Sequence, residues 1–346
     1  MAIKNGLRVG ALLVAASSLF AACSSTASTS STSSAAGGGA SASSSQAAGT
    51  AAGGSAAVVK PKDGKALKIG VTFPILDQFL QKVADGISAR AKEAGVEVNI
   101  QASQEKTDVQ LGQVETFIAN KVDAIIVVPV DTDAAAPMTA KAEAAGIPLV
   151  YVNRRPVGLP ATVPYVGSDS LVSGTLEMEQ LAKLAGGKGN VVILQGDPAN
   201  EAAVLRTKGC TDVVAKNPGM KVIKTQAGNW QRDKGQSIME TWLQSGDQID
   251  IVCANNDEMA LGAINALKAA GKLDKVIVGG VDATGDALAA MKAGDLKVTV
   301  FQDAKGQGAG GVDAAVKLYN KDTVPAYVDV PYVLVTPENM GQFVSK

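Results

Sequence analysis

The sequence predicts an α/β fold built as two lobes, each a parallel sheet flanked by helices. Three observations predict it. Short runs rich in Val and Ile alternate with longer amphipathic stretches, the runs are apolar throughout, and the same rhythm restarts after Asp169. Strands covered by helices on both faces read as continuous apolar runs, and a strand–helix–strand series closes into one parallel sheet.

In the first half, "LKIGVTF", "VEVNIQA", "DAIIVVPV" and "IPLVYVN" read as strands buried on both faces. Helical stretches lie between them at 78–94, 108–120 and 134–145, the first and last stopped by Gly95 and Gly146. After Asp169 the order is helix 171–184, strand "NVVILQG", helix 201–216, strand "KVIKTQA", helix 233–244, strand "IDIVCANN", helix 258–270, strand "KVIVGG" and a helix around 287–291. "VDAIIVVPVDTDAAA" and "IDIVCANNDEMALGA" share a strand, a polar turn and an Ala-rich helix, at similar depth in each half. The likeness is architectural and does not prove duplication.

Lys4 and Arg8 form a basic start, residues 9–20 are mostly apolar, and small residues lead into Cys23 in "LFAACSS". That pattern is an export signal over 1–23, its apolar stretch too short and too rich in Ser and Ala for a membrane span. It resembles a bacterial lipoprotein box, in which Cys23 is lipidated; Phe20 departs from the commoner Leu, which keeps ordinary signal-peptidase cleavage as the alternative. Residues 24–65 are dominated by Ser, Ala, Gly and Thr, a tether that cannot bury enough apolar surface to offset its chain entropy. The body from Ala66 onward holds roughly 280 residues, enough for two lobes.

Net charge is −1 from 32 basic and 33 acidic residues, which gives no footprint for nucleic acid. The chain has no histidine, which excludes Ser-His and Cys-His catalysis and His-ligated metals. No P-loop and no nucleophile elbow occurs. Cys210 falls in a helical pattern and Cys253 at a strand end. The reading taken is two buried, reduced thiols acting as small hydrophobes, with a bridge between them as the alternative.

Open α/β sheets bind ligands beyond the C-terminal ends of their strands, where loops and helix N-termini face outward. The residues there are Asp77, Phe79, Asn153, Arg154, Trp230, Asn255, Asn256, Asp282 and Gln302, in a chain only 4% aromatic. Carboxylates, amides and guanidinium groups make paired hydrogen bonds to vicinal hydroxyls, and rings cover C–H faces. Each residue taken singly has a plain alternative: Asp131 and Asp257 read as helix caps, Asn256 as a further cap candidate, and Trp230 as packing.

"ANNDEMALGAINALKAAG", "VIVGGVDATGDALAAMKAGDLKVTVFQ", "VDAIIVVPVDTDA" and "IPLVYVNR" closely resemble the solute-binding proteins of bacterial sugar importers of the ribose-binding type, the type I periplasmic binding proteins, from about Leu67 to the C-terminus. The resemblance implies two Rossmann-like lobes joined by a three-stranded hinge, at 167–169, 302–303 and Pro331. The lobes would be 66–168 with 304–330, and 169–303 with 331–346. It implies ligand contacts from Asp77, Phe79, Asn153, Arg154, Arg206, Trp230, Asn256, Asp282 and Gln302. Leu80 stands where a second aromatic is usual, and Asn153 where the family has aspartate. No catalysis, cofactor, metal or nucleic acid is implied. The implied partners are a small neutral sugar or polyol and an ABC permease, for a monomer held outside the cytoplasm by its lipid anchor. Asn153, Trp230 and "VTFPILDQFL" look more like inositol- or polyol-binding members, so myo-inositol or a similar cyclitol is the first expectation. A pentose or hexose is the alternative, with an autoinducer or nucleoside behind it. A repressor-like sensor shares the body but carries an N-terminal helix-turn-helix in place of the export signal and tether.

Gly306, Gly308 and Gly311 match the spacing G-x-G-x-x-G. A dinucleotide fold needs several strands after that motif and an acidic residue about 20 positions on. Too little chain follows Gly311, so the glycines are expected to ease the start of a closely packed helix.

Overall fold

The structure, a computed structural model, describes residues 57–344. In the first lobe the strands are β1 (Lys68–Phe73), β2 (Glu97–Ala102), β3 (Ala124–Val127), β4 (Leu149–Val152) and β5 (Tyr165–Gly167). The helices between them are α1 (Gln78–Ala94), α2 (Thr107–Ala119) and α3 (Ala136–Ala144). The second lobe runs α4 (Ser170–Leu184), β6 (Lys188–Gln195), α5 (Glu201–Ala215), β7 (Gly219–Ala227), α6 (Arg232–Gln244), β8 (Ile251–Ala254), α7 (Asp257–Ala269), β9 (Ile277–Gly279) and α8 (Gly285–Lys292). The chain closes through β10 (Thr299–Phe301), α9 (Ala304–Tyr319), β11 (Tyr327–Asp329) and β12 (Val333–Val335).

The first sheet has the order β11-β5-β4-β3-β1-β2 and every pair in it is parallel. The second has the order β7-β6-β8-β9, also parallel, and β10 pairs antiparallel with β12. Central strands such as β3 and β4 are buried along their whole length. β2 departs from the expected burial on both faces: its residues are half-exposed because it is an edge strand, with one flank and one face open.

Successive strand residues serve opposite faces. Val191 and Ile193 of β6 pack with α4 and α5 through Met178, Leu181 and Val213, while Val192 and Leu194 pack with α6 and α7 through Met239, Trp242 and Ile264. This is the period-2 alternation of a strand covered by helices on both sides. At about 25 cal/mol per Å² of apolar surface, such doubly covered strands contribute much of the core's stabilisation.

The glycine motif serves packing, as expected. A Cβ on Gly308 would lie 2.2 Å from the Val83 carbonyl oxygen, and one on Gly86 would lie 2.5 Å from that of Lys305. The reciprocal glycines let α1 and α9 approach backbone to backbone. Asp303 caps α9 by accepting from the Gly306 amide at 2.9 Å.

Cys210 and Cys253 are joined by a disulfide, which corrects the expectation of two reduced thiols. Cys210 on α5 and Cys253 on β8 both point into the layer between helix and sheet, and the chain pattern gave no measure of their separation. Ahead of Ala66, Val58 and Val59 pack against the first-lobe core, and Asp313 within α9 and Asn320 at its C-terminal end bond the backbone of Val59, Lys60 and Lys62.

The chain passes between the two lobes three times: from β5 into α4, from β10 into α9, and from β11 into β12. The hydroxyl of Ser168 donates to Val330 O, tying the first passage to the third.

Candidate functional site

Arg206 sits two turns into α5 and is 4% exposed. Its Nη1 donates to Asn255 O at 2.6 Å, and its Nη2 donates to Gln302 Oε1 at 2.8 Å and to the Tyr332 hydroxyl at 2.9 Å. Asp282 Oδ1 lies 3.8 Å from Nη1. The guanidinium carbon lies 5.6 Å from the Trp230 ring centroid and 5.8 Å from that of Tyr332, within reach of cation–π attraction. Burial opposes the Arg206 charge, but Tyr332 and Asp282 outweigh it and raise its pKa. Burial pushes the Asp282 carboxyl well above the usual range, against the pull of Arg206.

Asp282 holds φ +124, a backbone conformation that side chains rarely adopt, kept by its amide donating to Val300 O at 2.8 Å. Gln302 follows β10 at the second passage, so one arginine binds residues of the second and third passages together. Two buried donors, Arg206 Nε and Asn255 Nδ2, have no hydrogen-bond partner among the described residues. A buried unpaired donor is costly, and a cleft that awaits an acceptor is a natural place to find one.

In the first lobe, Arg154 follows β4 and is 8% exposed. Its Nη1 donates to the carbonyls of Pro129 and Val130 at 3.1 and 3.4 Å, both on the turn after β3. Burial lowers the Arg154 pKa, opposed by the charges of Asp77 and Asp197. Asp77 caps α1, accepting from Leu80 N at 2.7 Å. Burial raises its pKa against that hydrogen bond and the charge of Arg154. Phe79 lines a cavity together with Lys82, Asp282, Phe301 and Gln302, so groups of both lobes face one space. The charges of the two lobes also interact: Asp77 raises the pKa of Asp282, and Arg206 lowers that of Arg154.

Two expected residues are engaged elsewhere. Asn153, at φ +66, turns its Nδ2 to Gln307 Oε1 of α9 at 2.9 Å, and Gln307 in turn donates to Ser168 Oγ at 3.0 Å. Asn256 is the cap of α7: its Oδ1 accepts from Met259 N at 3.0 Å and its Nδ2 donates to Trp230 O at 3.1 Å. Asp257 is therefore not the cap expected of it. It is buried behind the cap and accepts from Thr284 N and Thr299 Oγ1 at 2.8 and 2.7 Å. Asp131 accepts from the amides of Asp133 and Ala134, which steadies the turn before α3, whose own cap position is Ala135. Trp230 packs its ring against Gly196, where a Cβ would fall 2.2 Å from it, and donates from Nε1 to Asn200 Oδ1 at 2.9 Å. Cys23 lies outside the described residues.

Residues that the sequence reading passed over also meet here. Tyr332 joins the Arg206 cluster from the third passage, and a lone aromatic beside Pro331 was the signal available for it. Asn255, already expected at its strand end, contributes its carbonyl to Arg206 and its Oδ1 to Gly196 N. Asn200 and Thr132 connect the two lobes, and nothing in the local pattern places either beside the other.

Polar groups at strand ends, drawn from two parallel sheets and converging on one cleft, match a known architecture. A sequence profile described as "Periplasmic binding protein domain" matches residues 69–323. The chain belongs to the periplasmic binding protein family. Its two-sheet α/β fold is that of the type I periplasmic binding proteins. A Rhizobium meliloti protein assigned to rhizopine binding is 46% identical over 286 residues, covering 80% of this chain and 93% of the relative. A xylitol-binding protein of Mycolicibacterium smegmatis is 39% identical, covering 75% of each chain. The crystal structure of an ABC transporter solute-binding protein from Bacillus halodurans, with bound myo-inositol, superposes with a TM-score of 0.78 at 44% identity, covering 82% of this chain and 99% of that one. Membership in the periplasmic binding protein family places the body outside the cytoplasm, where a disulfide such as Cys210–Cys253 persists.

Proposed function

We propose that this protein is the solute-capturing component of an ABC importer, that its ligand is a neutral polyol, and that myo-inositol or a similar cyclitol is the first choice. The observation that carries the reading is that each of two buried arginines has a carboxylate to answer it: Arg206 Nη1 lies 3.8 Å from the buried Asp282, and Arg154 feels the charge of the half-buried Asp77. The charges balance, so a neutral solute enters without leaving a charge unpaired. The unpaired donors Arg206 Nε and Asn255 Nδ2 call for acceptors, which hydroxyl oxygens are. Phe79 and Trp230 supply ring faces for the C–H side of a ring. The myo-inositol-bound structure at 44% identity supports the cyclitol, and the xylitol-binding relative supports polyols more broadly.

Nothing is done chemically to the solute. Hydrogen bonds from both lobes stabilise the closed form over the open one, with the three passages acting as the hinge. Gln302 reports closure because it belongs to a passage and bonds Arg206 at once. The closed form is the one a permease recognises. Export by the segment 1–23 and lipidation at Cys23 complete the proposal, and the extracytoplasmic setting of the family supports them.

The test is thermal unfolding of the chain after unfolding and refolding to strip captured solute, against inositols, linear polyols, pentoses and hexoses. A ligand at 100 times its Kd stabilises by about 2.7 kcal/mol, a shift of several degrees. A response confined to inositols supports the cyclitol. A response to xylitol or a sugar alone keeps the importer and replaces the solute, and no response across the panel sinks the polyol reading.

A further inference from the structure

We propose that Asn200 and Thr132 form a latch that draws the two lobes together without help from the solute, with Asn200 also positioning the Trp230 ring. The inference rests on reading the cleft as a solute trap that opens and closes.

Asn200 occupies the cap position of α5 with extended backbone, φ −109° and ψ 128°, yet its side chain makes no capping hydrogen bond. Asparagine is among the best capping residues, and forgoing the cap gives up a stabilising contact. The amide is spent elsewhere. Oδ1 accepts from Trp230 Nε1 at 2.9 Å in its own lobe, and Nδ2 donates to Val130 O at 2.8 Å in the other. Asn200 is 0% exposed, so both bonds are made out of water.

The vacant capping duty is filled from the opposite lobe. Glu201 N, in the first turn of α5, donates to Thr132 Oγ1 at 3.1 Å. The same hydroxyl donates to Ala199 O at 3.0 Å, and Thr132 N donates to that carbonyl at 3.0 Å. A first-lobe turn thus satisfies a second-lobe helix terminus, whose leading N–H groups have no intrahelical acceptors. All four bonds across the divide are between protein groups. When the lobes part, each group must find water instead, so the latch biases the equilibrium modestly and leaves release possible.

The latch is tied to both halves of the site. Val130 O accepts from Asn200 and from Arg154 Nη1, so the first-lobe arginine and the latch end on one carbonyl. At the other end Asn200 holds the indole whose face lies over Arg206.

The experiment uses the full chain stripped of solute, with Thr132→Val, Thr132→Ser and Asn200→Ala. Small-angle scattering without any added solute reads the lobe separation. The parent is expected to contain a closed population, Thr132→Val and Asn200→Ala to shift toward the open form, and Thr132→Ser to behave as the parent. Fluorescence separates the two roles of Asn200: in Asn200→Ala the Trp230 emission moves to the red, while Thr132→Val changes it less. With myo-inositol as the probe, or whichever polyol the panel selects, release becomes roughly tenfold faster in Thr132→Val with capture little changed. Equal scattering from parent and Thr132→Val, both without solute, overturns the latch. Since that arm needs no ligand, the latch can fail while the polyol reading stands, and the reverse.

Discussion

The two buried arginines were built by the same chemistry to different degrees. Arg206 in the second lobe is bonded to Asn255, Gln302 and Tyr332 with Asp282 alongside, and it stays charged with its pKa raised. Among the described residues, Arg154 in the first lobe donates to two backbone carbonyls through one nitrogen, and burial pulls its pKa down. The second-lobe arginine is thus held in place by side chains of its own protein, while on the proposed reading the first-lobe arginine depends more on what enters the cleft. Pre-organisation cuts the ordering cost of binding on one side and leaves adaptability on the other.

The largest effect should follow from removing the better-connected arginine. Arg206→Met leaves Asp282 and several acceptors buried without their partner and is expected to cost about 3–5 kcal/mol of stability, together with all response to the polyol. Melting and titration calorimetry check it; a variant that melts like the parent would show the network to be ornamental. Next, the Cys210–Cys253 bond joins α5, which carries Arg206, to β8, which leads into Asn255. Losing it, by reduction or by paired Ala substitution, should cost about 2–4 kcal/mol. A melting midpoint indifferent to reductant argues against the bond.

Arg154→Gln should divide the two lobes' behaviour most sharply. Affinity is expected to fall on the order of tenfold to a hundredfold, with stability changed by less than about 2 kcal/mol. If stability falls as far as in Arg206→Met, the contrast between the lobes is gone. The smallest effect is in pH. Glu177 of α4 is fully buried beside the disulfide, and burial holds its carboxyl well above the usual range. Asp257 is likewise raised by burial, to about 7. A raised acid keeps its proton in the folded chain while the unfolded chain releases it, so stability falls as pH rises from the ordinary carboxylate value through the folded one. Denaturant unfolding from pH 5 to 8 should show that decline, shallower in Glu177→Gln. An equal slope in parent and variant removes Glu177 from the account.

Most of the element order was legible because apolar runs and helical periodicity are local. The helix expected over 78–94 is α1 to the residue, since Asp77 and Gly95 mark its ends. Asp282, Arg206 and Gln302 come together around the Arg206 guanidinium. Asn153 and Asn256 were harder to read: an asparagine at a strand end can face a cleft, cap a helix or bridge two helices, and only its neighbours in space choose. Those neighbours, Gln307 for one and Trp230 O for the other, are 154 and 26 positions away.

By itself the sequence determined the α/β class, the two-part rhythm, the near-neutral charge and the lack of histidine, because each depends on composition or on spacing along the chain. The tertiary structure alone decided that Cys210 and Cys253 bond, that Thr132 serves the terminus of α5, and that Arg206 binds two passages at once. These are meetings of residues 43, 69, 96 and 126 positions apart. Such meetings depend on how the sheets and helices are assembled, and no periodic pattern along the chain records them.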